Sequence, residues 1–201
     1  MKQFIKSAIT VASIGLCAAS AFAQSANFSG LSAGVDLNLI GAATEISSGA
    51  DKLSLGENSN TVAVQGAYGF DLGGSGVLGV GASYNMGEIA AGTVSSGTSL
   101  YKLRLKNMYS VFIEPGFVVG SSLFYGKLAY LNGKAEESLN ASSGSDTVTG
   151  MGYGVGLRTM LDNKIYLQVE ILQTKFADKT FGTAVYKPSA TMATFGVGVK
   201  F

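Results

Sequence analysis

The final stretch of the chain reads Ala193-Thr194-Phe195-Gly196-Val197-Gly198-Val199-Lys200-Phe201, and apolar residues alternate in it with small or polar ones. This alternation predicts a β-strand with one apolar face and one polar face. The strand ends on an aromatic residue, which a soluble protein has little reason to expose. A closed membrane barrel accommodates this ending, because its last strand pairs with its first and meets lipid on the outside.

The amino terminus predicts export. Lys2 and Lys6 form a positive region, and residues 7–19 form a short apolar one. Ala21-Phe22-Ala23 has the pattern of a signal-peptidase site, so we expect a signal peptide at 1–23, a mature chain that starts at Gln24, and a single barrel domain at 24–201. Leu16 precedes Cys17 where lipoprotein signals carry a small residue, which disfavours lipid attachment.

Composition excludes several classes of function. Removal of 23 residues leaves 178, with 12 Lys and Arg against 13 Asp and Glu, so no basic surplus indicates nucleic acid. The chain has no histidine, and its one cysteine lies in the predicted signal peptide. Most nucleophilic hydrolases need a histidine base, and thiolate metal sites need cysteine. We therefore predict no enzyme activity, no cofactor and no metal.

The period-two pattern recurs along the mature chain and predicts eight strands. They span about residues 28–44, 60–72, 77–87, 101–114, 121–132, 148–161, 165–176 and 193–201. Short turns, at 73–76, beginning at 115–116, and at 162–164, alternate with longer polar connections at 45–59, 88–100, 133–147 and 177–188. This layout predicts an all-β fold, an eight-stranded antiparallel up-and-down transmembrane β-barrel with both termini on the short-turn side.

The bulky apolar face of each strand is predicted to meet lipid, and the other face carries glycines and most strand charges. A soluble lipocalin-like barrel is the alternative, but it could not fill its core with such residues. Lys127 fixes the phase of its strand, because an unpaired lysine facing lipid costs about 2–4 kcal/mol at the midplane. The predicted lumen charge network comprises Asp36, Arg104, Lys106, Glu114, Lys127, Arg158 and Glu170.

Two interpretations of this network stay open. Buried charges must pair, so the network could be a polar plug that fills a narrow lumen. It could instead be a gate that opens when ion-pair partners exchange, with Arg158 in reach of Glu170. Glycine runs such as Gly79-x-Gly81 lack the following helix that a phosphate-binding loop needs, and the loop carboxylates lack the spacing of a calcium site.

Four stretches of the predicted strands carry a resemblance to a known family: Tyr109-Ser110-Val111-Phe112-Ile113-Glu114-Pro115-Gly116, Leu123-Phe124-Tyr125-Gly126-Lys127-Leu128-Ala129-Tyr130, Gly152-Tyr153-Gly154-Val155-Gly156-Leu157-Arg158 and Leu167-Gln168-Val169-Glu170. They resemble the small outer-membrane β-barrel families, the OmpA-like and OmpX-like eight-stranded barrels of the "porin family". The resemblance implies the outer membrane of a Gram-negative envelope. Members of these families serve as structural barrels, adhesins or small gated pores.

The resemblance also implies partners. The terminal residues Phe195, Val197, Val199 and Phe201 resemble the signal that the barrel-assembly machinery reads, with periplasmic chaperones acting in transit. Outer-membrane lipid and lipopolysaccharide would surround a monomer, and no ligand of the loops is indicated. We expect a non-enzymatic envelope barrel that presents surface loops. A narrow gated channel for ions or small solutes is the alternative.

Overall fold

The chain forms a closed antiparallel β-barrel in a computed structural model, which describes residues 25–48, 51–96, 99–139, 142–181 and 184–201. The predicted cleavage residues Ala21, Ala23 and Gln24 lie outside these ranges. A short 3₁₀ helix, Ser25–Phe28, precedes the first strand. Within the described ranges, no helix has the length and apolar character needed to cross a membrane. The strands are β1 (Gly30–Ser48), β2 (Asp51–Gly73), β3 (Gly76–Met86), β4 (Ile89–Ser96), β5 (Ser99–Val119), β6 (Ser122–Leu139), β7 (Ser142–Met160), β8 (Ile165–Phe176), β9 (Lys179–Phe181) and β10 (Ala184–Lys200).

The ten strand segments form eight continuous strands of the barrel wall, which we call staves. β4 continues β3 along the side of β5, and β9 continues β8 along the side of β10. Each stave pairs antiparallel with the next, and β1 pairs with β10 from Ser32 opposite Lys200 to Ser48 opposite Ala184. That last pairing closes the sheet and removes its free edges. The predicted eight-stranded up-and-down barrel is confirmed.

The strands are longer than the sequence predicted. Most of the four connections expected to be polar loops belong to strands, as in β2, which begins at Asp51. The predicted start of the second short turn at Pro115-Gly116 is also wrong, because both residues lie inside β5 and the chain turns at Gly120 and Ser121. Pro115 is tolerated there because pairing with β6 lapses between Ile113 and Gly116, where a missing N–H donor costs little.

In the half of the barrel near the short turns, side chains point inward and outward as the sequence predicts. On β6, Tyr125 and Lys127 are 4% and 7% exposed, whereas Phe124 and Leu128 are 42% and 52% exposed. Outward Val and Leu residues on β1, β2, β7, β8 and β10 continue this surface around the barrel. They form an apolar band of the kind that meets acyl chains.

The pattern inverts in the half near the long hairpins. β8 shows the change on one strand, since its inner face passes from buried Gln168 and Glu170 to buried Leu172 and Phe176. Its outer face changes in the opposite sense, from apolar Ile171 to polar residues. This half therefore has an apolar core and a polar surface, as a barrel in water requires.

A β-bulge produces the inversion on β5. Lys106 pairs with Lys134 and Tyr109 with Asn132, so Asn107 and Met108 together face Gly133. Asn107 has φ 51°, in the left-handed region that asparagine tolerates better than most residues. The extra residue reverses the alternation and turns Leu105 inward. Gly133 is needed opposite the bulge, because a Cβ there would overlap the Met108 sulfur.

Candidate functional site

Four charged side chains meet in the middle of the lumen. The Arg158 Nη2 atom lies 3.1 Å from Glu114 Oε2, and Lys127 Nζ lies 3.3 Å from Glu114 Oε1 and 3.0 Å from Glu170 Oε2. None of the four is more than 7% exposed. They come from the consecutive staves β5, β6, β7 and β8, so their register sets the ion pairs. Each carboxylate thus has a cation in direct contact.

Asp36 joins this group through neutral side chains. Gln168 Nε2 donates to Asp36 Oδ1 at 2.9 Å, and Gln65 Nε2 donates to the same oxygen at 3.3 Å. Gln168 Oε1 in turn accepts from Nε and Nη2 of Arg158 at 3.1 and 3.0 Å. Gln168 therefore links Asp36 to the ion pairs, and we call the set of Asp36, Gln65, Glu114, Lys127, Arg158, Gln168 and Glu170 the lumen network.

Aromatic rings line the network. Tyr125 donates its hydroxyl to Glu170 Oε2 at 3.1 Å. Lys127 Nζ lies 4.0 Å from the centre of the Phe112 ring, and Arg158 Cζ lies 4.9 Å from that of Tyr166. At these distances a ring face attracts a cation. The sequence prediction selected charged residues, so it did not include these rings or the two glutamines in the site. Their positions on the inward face of the strands are the sequence signal that could have identified them.

Inward glycines make room for the charged and aromatic side chains. A Cβ at Gly196 would overlap Asp36 Oδ1, and one at Gly156 would overlap the Tyr125 ring. A Cβ at Gly79 would lie 3.1 Å from that of Glu114. The period-two glycines of the lumen face are therefore a steric requirement of the network.

Apolar layers enclose the network on both sides. On the short-turn side, one cluster of buried residues comprises Phe28, Val77, Val118, Leu123, Tyr125, Met160 and Tyr166. On the long-hairpin side, a second cluster comprises Ile40, Ile89, Ala91, Leu105, Met108, Val148 and Phe176. The charges thus lie between two layers that exclude water, which strengthens their mutual attraction.

Arg104 and Lys106 do not belong to the lumen, and the prediction that placed them there is wrong. Both lie on the outer surface beyond the bulge, where Lys106 Nζ is 2.8 Å from Glu88 Oε1 and 2.7 Å from Glu136 Oε2. Arg104 Nη1 is 2.7 Å from Glu88 Oε2. The physical reason is the extra residue at Asn107, which reverses the side of every residue before it on β5.

This outer cluster shifts the titration of its members. The hydrogen bond from Lys106 is the main cause that holds the pKa of Glu88 below its usual value. The hydrogen bond to Glu136 is the main cause that raises the pKa of Lys106. Both charges lie beyond the outward apolar band, so water screens them far more than it screens the lumen network.

The terminal strand faces outward as predicted. Phe195, Val197, Val199 and Phe201 are 52%, 50%, 43% and 75% exposed. Their recognition as an assembly signal stays a prediction. In the parts of the chain that the structure describes, no group of three or more His, Cys, Asp or Glu residues is arranged to hold a metal ion.

Comparison with known families decides the class of protein. The family model described as outer membrane protein beta-barrel domain matches residues 9–201. The chain belongs to this family. As a member, this outer-membrane barrel resides in the outer membrane of a bacterium. The match runs through the predicted cleavage site, so the boundary at Gln24 stays a prediction.

Solved structures show similar barrels. The attachment invasion locus protein Ail of Yersinia pestis is 18% identical, with a TM-score of 0.47 over 86% of this chain and 99% of that one. Neisserial surface protein A is 14% identical, with a TM-score of 0.50 over 83% and 97%. The Escherichia coli outer membrane protease OmpT is 9% identical, with a TM-score of 0.48 over 85% and 96%. At these identities the likeness concerns the fold alone. A comparison with curated proteins found no match to this chain.

Proposed function

We propose that this protein is a non-enzymatic structural barrel whose lumen is closed, and that it contributes to envelope integrity and presents surface hairpins. The observation that supports this most is the lumen network, enclosed by an apolar layer on each side. A solute that crossed the barrel would have to displace both layers and separate the ion pairs between them.

The energy of that separation favours a permanently closed state. Breaking a buried ion pair on one side costs about 3–5 kcal/mol. Glu114 contacts two cations, and Lys127 contacts two carboxylates, so the lumen holds three such contacts. Together with the aromatic rings they fill a barrel whose interior is only wide enough for side chains.

The chemistry of the lumen also supports a non-enzymatic role. The chain has no histidine to activate a nucleophile. The three lumen carboxylates are buried and occupied by cations or amides, so none is free to meet a substrate. A structural plug accounts for every member of the lumen network.

Conductance of the purified protein in planar lipid bilayers tests the proposal. We expect no unitary current steps from protein whose folded state is verified by heat-modifiable gel mobility. Regular unitary steps from the wild-type protein would refute the closed lumen. Glu136→Gln, which alters an ion pair on the outer surface, is the matched control for any lumen variant.

A narrow gated channel is the second candidate, and one observation favours it. Lys127 contacts Glu114 and Glu170 at similar distances, 3.3 and 3.0 Å, so it could exchange one partner for the other. Such an exchange would leave Arg158 as the only cation on Glu114. Under this alternative, Glu170→Gln changes the open probability of a channel, whereas under the closed barrel it changes only stability.

Export and surroundings complete the proposal. A signal peptide cleaved after Ala23 would direct the chain to the periplasm, where chaperones would hold it until the assembly machinery reads the strand that ends at Phe201. The folded monomer would then contact outer-membrane lipid and lipopolysaccharide. Cleavage at a site other than Ala23-Gln24, measured by mass spectrometry, would contradict the export part of the proposal. Normal assembly of Phe201→Ala into the outer membrane would contradict the recognition of the terminal strand.

A further inference from the structure

The lumen network contains unequal numbers of opposite charges. Asp36, Glu114 and Glu170 face only two cations, Lys127 and Arg158, and these five are the buried acidic and basic side chains among the residues whose side chains the structure describes. With all five ionised, the enclosed space would carry a net charge of −1. A buried charge without a partner is so costly that the group usually becomes neutral instead. One carboxylate is therefore expected to be protonated.

The contacts single out Asp36. Glu114 and Glu170 each touch a cation at 3.0–3.3 Å. The hydrogen bonds that the structure gives Asp36 come from the amides of Gln65 and Gln168, and both end on Oδ1. A neutral amide compensates a carboxylate less than an ammonium or guanidinium group does. Asp36 is also only 5% exposed, so water does not replace the missing cation.

The orientation of Gln168 is fixed, so its amide must donate to Asp36. Its Oε1 accepts two hydrogen bonds from Arg158, at 3.1 and 3.0 Å, which leaves Nε2 for Asp36. A bound metal cation would instead need several oxygen ligands around the carboxylate. The donors found there suit an oxygen acceptor and disfavour a cation.

The other charges that face Asp36 do not restore the balance. β8 contributes Glu170, whose like charge disfavours a second carboxylate, and the neutral phenol of Tyr166. Lys127 on β6 and Arg158 on β7 attract Asp36, but Lys127 is in contact with Glu114 and Glu170, and Arg158 is in contact with Glu114. On β10, the residue opposite Asp36 is Gly196, which has no side chain.

We propose that Asp36 is a proton-binding site, and that it stays neutral in the folded barrel at pH values where an exposed aspartate is ionised. This inference rests on the closed lumen proposed above, because an open, hydrated lumen would supply counterions. The two can fail separately. Unitary conductance would refute the closed lumen, whereas the measurements below report on the proton itself.

The absence of histidine makes the proton measurable in the wild-type protein. Between about pH 5 and about pH 7, no other side chain of the unfolded chain titrates strongly. The folded state would hold one proton that the unfolded state releases, so stability is present at low pH and is lost as pH rises. We expect the unfolding constant in urea to rise about tenfold per pH unit while Asp36 keeps its proton.

Asp36→Asn is the decisive variant, because it keeps the shape of the side chain and removes the titration. We expect its unfolding constant to be independent of pH over the same range, and the infrared C=O band of a neutral carboxylic acid to be absent from its spectrum. A pH-independent unfolding constant in the wild type would overturn the proposal. An unchanged slope or an unchanged acid band in Asp36→Asn would overturn it as well, and if the variant does not fold, the wild-type slope and band decide alone.

Discussion

Replacing Glu114 by glutamine tests the energetics of the lumen network most directly. The side chain is 1% exposed and forms ion pairs with both lumen cations, at 3.1 and 3.3 Å. In Glu114→Gln, Lys127 keeps Glu170 at 3.0 Å, but Arg158 keeps only the neutral Gln168. At a pH where Asp36 keeps its proton, one buried guanidinium is then left without a carboxylate, and such a loss costs about 3–5 kcal/mol.

Urea unfolding of the protein in phospholipid vesicles, followed by gel mobility, measures this cost. The free energy of unfolding should fall by about 3–5 kcal/mol in Glu114→Gln, whereas the m-value stays unchanged. Glu136→Gln is the matched control, since it removes a carboxylate that lies 2.7 Å from Lys106 on the exposed surface. Its effect should be far smaller, because exposed ion pairs are screened. Equal losses in the two variants would refute the argument that burial decides the value of these pairs.

Three further predictions concern the wall and the outer surface. Gly156→Ala should destabilise the barrel by about 1–3 kcal/mol through overlap with the Tyr125 ring, whereas Gly144→Ala, with open space around it, should leave the urea midpoint unchanged. Asn107→Val should cost about 1–2 kcal/mol more than Asn107→Gly by the same assay, because both lose the bond from Tyr84 but only valine is strained at φ 51°. The pKa of Glu88 lies below its usual value, so its ion pair is present at neutral pH and is lost as pH falls through that lowered pKa. An NMR titration should show this pKa rise in Lys106→Ala, and no rise would contradict the pairing.

Alternation predicted the barrel because the membrane imposes a strict chemistry on each face of a strand. Lys127 is the clearest case, since a single lysine fixed the phase of β6 and placed Tyr125 inside with it. The same logic placed Asp36, Glu114, Arg158 and Glu170 inward, and the structure brings all of them into the lumen. These residues lie in the half of each stave that carries the outward apolar band, where the rule applies.

Alternation failed where a stave leaves that band. Beyond it, the apolar face must turn inward, and nothing in a period-two pattern marks the residue at which this happens. On β5 the change needs an inserted residue, and Asn107 resembles any other polar residue of a strand until its φ of 51° is seen. The sequence analysis did not include Gln65 and Gln168 in the predicted site for a different reason. A neutral amide matters there only through the charged groups that it connects.

The bulge at Asn107 and the charge of the lumen are connected. Without the extra residue, the alternation of β5 would carry Arg104 and Lys106 on the same side as Glu114. Two additional cations would then face the lumen without carboxylates of their own, because Glu88 and Glu136 lie outside. The bulge instead sends both cations to the surface and brings Leu105 into the apolar layer that covers the network. The inserted residue thus completes the apolar layer above the network. It also leaves three carboxylates with two cations in the lumen, so a proton on Asp36 is what makes the interior neutral.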